Sequence, residues 1–171
     1  CELWWRGLEA AIAGNTQVTA EIQSQKLRLE TISDEQKQAA WNQLYWPVRN
    51  LGQKEQRIWI KAFCDFHRVD LDAICRMEAM TWDELRGISK DKLCTIGSHT
   101  VNHYALAQLS EADALHELVE SGRRIARELG KAPKFFAYPY GDESSATPRD
   151  FRLVEQAGYE AAVTTRTGLI S

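Results

Sequence analysis

The chain has no basic surplus. Lys and Arg number 21 against 24 Asp and Glu, a net charge of −3. A protein that grips polyanions through bulk electrostatics carries the opposite balance, so nucleic acid is excluded as an expected partner. No apolar run approaches the ~18 residues of a bilayer crossing, so no membrane span is expected. The four cysteines, Cys1, Cys64, Cys75 and Cys94, lack the short spacing of a zinc knuckle. They are also too few for a disulfide-dense scaffold and read as buried or free thiols, which leans weakly toward a reducing, cytoplasmic compartment. There is no internal repeat and no low-complexity tract. The first residue is Cys1 rather than Met, so the expectation is that parts of the protein lie outside these 171 residues.

What is present is an ordinary globular composition, 44% hydrophobic and 26% charged. It divides near residue 80. Residues 1–80 hold five of the six tryptophans. Trp4, Leu8, Ala11 and Ile12 recur at helical spacing and stop at Gly14-Asn15. Val18-Thr19-Ala20 and residues 26–30 alternate as a hairpin would. Ser33 with Gln36 forms a capping box for a helix carrying Trp41, Leu44 and Tyr45, which Pro47 is expected to end or bend. Trp59, Phe63 and Phe66 mark a further helix, Asp70 caps one over residues 71–79, and Thr81 with Glu84 caps the next. This part reads as a mainly helical segment with a small β element, its tryptophans filling a core rather than stacking on sugars.

Residues 81–171 change rhythm. Leu93-Cys94-Thr95-Ile96 reads as a buried strand. Ser110 with Asp113 caps a long helix whose apolar face is Leu115, Leu118, Val119, Ile125 and Leu129, ended by Gly130. Residues 135–138 form the next strand, Thr147-Pro148 opens another helix closed by Gly158, and residues 161–165 make a third strand. Strand, helix, strand, helix, strand with short links implies an α/β fold with parallel pairing. The carboxyl ends of such strands carry the chemistry. Two segments fall there: residues 98–103, with His99 and His103, and Pro139-Tyr140-Gly141-Asp142.

Of four histidines, two stand four residues apart at a strand end. That spacing brings both imidazoles to one side, suited to one metal ion, with zinc favoured by neutral imidazole. On its own the pair fits equally a loop that the histidines cap and tie. His67 reads as an interaction with the last carbonyls of its helix, and His116 as solvated. Asp34 reads as part of a helix cap and Asp142 as a structural turn residue.

Taken together, Gly97-Ser98-His99-Thr100-Val101-Asn102-His103 and Phe136-Ala137-Tyr138-Pro139-Tyr140-Gly141 resemble the polysaccharide deacetylase family, the NodB-homology carbohydrate esterases. The first segment matches that family's His-Thr/Ser-x-x-His metal motif. The second matches its Arg-x-Pro-Tyr motif at Pro139 and Tyr140, and residues 158–163 match a following strand. The resemblance covers residues 81–168.

It implies a partial, distorted (β/α) barrel of parallel strands and hydrolysis of N-acetyl groups on bacterial amino-sugar polysaccharides or oligosaccharides. Chitooligosaccharide, peptidoglycan and exopolysaccharide are the substrate types. His99 and His103 would be metal ligands for zinc, or another divalent transition ion, with a zinc-bound water as nucleophile. Tyr140 would be catalytic, through its backbone N–H at the oxyanion. Pro139 would shape that turn, and Tyr138 would line the sugar site or pack.

The departures are specific. Ala137 stands where the family has arginine, and no Asp-Asp pair occurs to supply a base and third ligand. A full barrel takes ~250 residues, so the expectation is the middle of one, inactive alone, with base and acid outside residues 1–171. The rival reading is a non-catalytic carbohydrate- or partner-binding domain on the same fold.

Overall fold

The structure is a computed structural model and describes residues 3–168. Two compact units divide the chain, residues 1–79 and residues 80–171.

In the first unit, helix α1 (Trp4–Gly14) buries Trp4, Leu8, Ala11 and Ile12, the stripe its spacing dictates. Strands β1 (Gln17–Ile22) and β2 (Gln25–Glu30) pair antiparallel, with Val18 opposite Leu29. Their two-residue turn places Gln23 at φ 51 and Ser24 at φ 68. That is the twist a tight hairpin needs, here without the usual glycine. Helix α2 (Asp34–Arg49) starts on the Ser33–Gln36 capping box and carries Pro47 within it, ending two residues later than the proline suggests. Helices α3 (Gln53–Phe66) and α4 (Leu71–Glu78) follow, the latter capped by Asp70.

Trp4 lies in the core and Trp5, Trp41 and Trp59 pack against it, whereas Trp46 is 54% exposed and departs from the core-filling expectation. Trp4 stacks on Tyr45 at 5.2 Å and Tyr45 on Trp41 at 5.0 Å, while Trp59 stacks on Phe63 at 4.8 Å. Gly7 lets α1 approach closely, because a Cβ there would lie 2.6 Å from the Cys64 sulfur. His67 does more than end α3: its Nε2 donates to the Thr19 carbonyl at 2.9 Å, tying α3 to the hairpin. Cys64 and Cys94 are free thiols, but Cys75 is disulfide-bonded, which corrects the thiol expectation at that position.

The second unit begins with α5 (Trp82–Ile88) on its Thr81–Glu84 capping box. Residues 93–96 do not form the expected strand, and Leu93 is 97% exposed. Ladder pairing starts only at Ser98, which bridges Phe136 in parallel sense. The run is not buried: Leu93 and Thr95 are exposed, and Cys94 and Ile96 are half-buried. Helix α6 (Glu111–Leu129) is capped by Ser110 and closed by Gly130 at φ 72. Strand β3 (Phe135–Ala137) pairs parallel with β4 (Ala161–Val163), and α7 (Pro148–Gln156) joins them.

The order Ser98, β3, β4 is thus parallel and sequential, with α6 and α7 as the intervening helices. Among the described residues the sheets are two-stranded and no closed barrel is seen. Phe136, Leu118, Leu106 and Leu153 lead the core. No helix among the described residues is long and apolar enough to cross a membrane.

Candidate functional site

Ser98 is the last residue held by the parallel ladder, its N–H donating to the Phe135 carbonyl at 2.8 Å. One residue on, His99 leaves the sheet and its Nδ1–H donates to the Ala137 carbonyl at 2.7 Å. That bond fixes the tautomer and leaves Nε2 as the lone-pair nitrogen, the arrangement metal-binding histidines use. The His103 ring lies 4.8 Å from the His99 ring, and the Tyr140 ring 4.9 Å from His103. Burial, with His99 alongside, pushes His103 down to about 4. Its imidazole is neutral at physiological pH, as a ligand must be.

Both site segments are bent against their intrinsic preference. Thr100 (φ 63), His103 (φ 55) and Tyr140 (φ 63) are non-glycine residues in the left-handed region. Each such position costs about 1–2 kcal/mol and persists only where neighbours enforce it. At Tyr140 the enforcement is visible. Gly141 N–H donates to the Pro139 carbonyl at 2.7 Å, closing a three-residue turn, and Thr165 Oγ1 donates to the Tyr140 carbonyl at 2.7 Å. Gly141 (φ 70) is required on two counts, since a Cβ there would lie 2.5 Å from the Thr165 nitrogen.

The structure therefore brings His99, His103 and Tyr140 together. Tyr138 and Pro139 lie behind them, both buried. Tyr138, 5% exposed, packs its ring on Phe136 at 5.0 Å and Phe151 at 5.4 Å, and burial pushes its hydroxyl up to about 12. Asp142 accepts from Ser144 N–H at 2.9 Å and Ser145 Oγ at 3.0 Å, a turn-stabilising role. His116 is exposed. Among the described residues, no group of three or more His, Cys, Asp or Glu gathers to hold a metal. His99 and His103, whose rings lie 4.8 Å apart, are the residues whose donor chemistry could hold a zinc-type ion.

Sequence reasoning missed the residues beneath the pair. Glu117 of α6 is 5% exposed, and its Oε2 accepts Val101 N–H and Asn102 N–H, both at 2.9 Å, while Asn102 Nδ2 donates to Oε1. Ser121, one turn along, lies 2.6 Å from Ser98 through their hydroxyls. The Tyr159 hydroxyl reaches Ser98 Oγ at 2.8 Å and donates to the Leu118 carbonyl at 2.9 Å. Burial raises the pKa of that phenol. The signal was present in the helix: Ala114, Glu117, Leu118 and Ser121 share one face. Polar residues on a core-facing stripe need partners.

The sequence profile of the polysaccharide deacetylase family matches residues 59–162, that is 104 of 171 residues. The chain belongs to the polysaccharide deacetylase family. The match begins in α3, earlier than the motifs alone suggest. No curated protein sequence matches the chain. Among solved structures it is similar to the Streptococcus pyogenes deacetylase PplD in complex with acetate, at 22% identity and TM-score 0.49 over 56% of this chain and 42% of that one. It is also similar to a de-N-acetylase from Aggregatibacter actinomycetemcomitans, at 20% identity and TM-score 0.43 over 50% of this chain and 41% of that one. The chain thus spans well under half the length of either structure.

Proposed function

We propose that the protein acts as a metal-dependent N-deacetylase of amino-sugar polysaccharides or oligosaccharides, its parallel strands forming part of a distorted (β/α) barrel. The observation that carries the reading is the convergence of His99, His103 and Tyr140 at the strand ends of a polysaccharide deacetylase family member. In this reading His99 and His103 hold a divalent transition ion, zinc foremost. When bound, the ion supplies Lewis acidity and an activated water for amide hydrolysis.

The chain's own residues do the rest of the positioning. The Ala137 carbonyl orients His99 by taking its Nδ1 proton in a hydrogen bond. Pro139 and Gly141 close the turn that sets Tyr140 beside His103. The Tyr140 backbone N–H serves the developing oxyanion of the N-acetyl carbonyl, where one well-placed donor is worth about 10²–10³ in rate. Tyr138, buried against Phe136 and Phe151, supports that turn from behind.

The test is acetate release from chitooligosaccharide, peptidoglycan and exopolysaccharide by the zinc-supplemented full-length protein, against its His99→Ala variant and a chelated control. The reading expects zinc-dependent acetate release that the substitution abolishes. Release indifferent to chelator and substitution contradicts it. Saccharide binding without any release would favour the non-catalytic reading, for which Ala137 in place of arginine is the supporting feature.

A further inference from the structure

We propose that Glu117 is the positioning residue that sets His103 against His99, an inference that rests on the metal reading of that pair. His99 needs no such help. Its neighbour Ser98 is held in the ladder, and its own ring is tied to Ala137. The separation of His103 from it is decided by the three residues between, Thr100, Val101 and Asn102.

Those residues do not adopt their shape unaided. Thr100 is β-branched and sits at φ 63, and its hydroxyl is buried with no hydrogen-bond partner among the described residues. His103 itself sits at φ 55. A left-handed β-branched residue with an unsatisfied hydroxyl persists only when something else over-determines the loop. Glu117 meets that need. One carboxylate oxygen collects two successive backbone N–H groups, at Val101 and Asn102, and the other takes the Asn102 side chain. These contacts fall between the two strained positions.

The clamp is rigid at its base. Glu117 stands in α6, a 19-residue helix, between Ala114 and Leu118, both fully buried. A charged acceptor forms hydrogen bonds roughly twice as strong as a neutral one, which suits a single residue holding a bent loop. Glutamine is a graded perturbation. Its amide oxygen still accepts the two backbone N–H groups, but its NH₂ faces the Asn102 NH₂, donor against donor.

The experiment compares the full chain with Glu117→Gln, Glu117→Ala and a His99→Ala/His103→Ala control. In the metal-free protein, NMR reads amide exchange at Val101 and Asn102 and the ring-proton shifts of His103, which Tyr140 perturbs through its ring current. Cobalt(II) titration reads metal affinity, and thermal unfolding reads the fold. The expectation is faster exchange at both amides and a His103 shift toward its unstructured value in Glu117→Ala. Cobalt affinity should fall about tenfold or more, as for other supporting residues around metal ligands, with a smaller loss in Glu117→Gln. Glu117→Gln should unfold within a few degrees of the parent, and it carries the same readouts should Glu117→Ala not fold.

Unchanged amides and His103 resonances would overturn the proposal. So would an unchanged cobalt affinity when the double-histidine control has lost it. If parent and double-histidine control bind cobalt alike, the metal reading fails, and the metal-free measurements alone then decide for or against Glu117.

Discussion

The two units bury different things, and the difference coincides with the candidate site. Among the described residues the first unit packs a core of 13 hydrophobic side chains, Trp4, Leu8, Leu44 and Phe63 among them. Its buried polar residues, Thr31, Arg49 and Gln56, serve the frame, Thr31 Oγ1 donating to the Asn15 carbonyl and Gln56 to the Val48 carbonyl. The second unit has a core of eight hydrophobic side chains but buries Ser98, Glu117, Ser121, Ser145 and Asp150. Non-glycine left-handed residues divide likewise. In the first unit they are Gln23, Ser24 and Arg68, at turns and a helix end, while in the second Thr100, His103 and Tyr140 all line the site. Apolar packing stabilises the first unit, and buried polar networks hold the second in a strained shape around the candidate site.

The largest effect should come from the apolar side of that contrast. Leu44→Ala removes a fully buried side chain from the first core and should cost about 2–5 kcal/mol in denaturant unfolding. The polar side should respond almost as strongly. Asp150 is 0% exposed, caps α7 by accepting from Thr147 at Oδ2 and accepts two Arg149 N–H groups at Oδ1, so Asp150→Ala should cost about 3 kcal/mol by the same measurement. A cost below 1 kcal/mol would break the comparison. Gly141→Ala should cost about 1–3 kcal/mol, from its φ and from the clash with Thr165. It should also displace the Tyr140 turn, visible as a change in the His103 ring resonances.

Smaller changes sharpen the picture. Tyr159→Phe removes the hydroxyl shared by Ser98 and Leu118 and should cost about 1 kcal/mol in unfolding, with the aromatic packing on Phe136 kept. Trp46→Ala should cost only about 0.5–1 kcal/mol. The ring is 54% exposed, and what is lost is its cation–π contact with the buried Arg49 at 4.9 Å.

Helices α2, α4, α5 and α6 were legible because their starts carry local signals, whereas α1 and α3, which begin without a side-chain cap, showed only in their apolar spacing. Ser33 with Gln36, Thr81 with Glu84, and Ser110 with Asp113 all cap as their spacing demands. The hairpin followed from alternation alone. The run at residues 93–96 misled because apolar character does not say whether a partner surface exists, and pairing begins only at Ser98. Cys75 misled because a disulfide joins positions that sequence spacing does not relate. At the candidate site, the proximity of His99, His103 and Tyr140 was legible from motif and strand end. Glu117, Ser121 and Tyr159 were not, because their partners lie 15 to 61 positions away in the chain.

The central claim is that His99 and His103 together hold one divalent ion. Calorimetric titration of zinc into the chain and into the His99→Ala/His103→Ala variant tests it most directly. The account predicts a single site that the double substitution removes, with the thermal unfolding of the metal-free proteins nearly unchanged. Equal affinity and stoichiometry in the two proteins would contradict it.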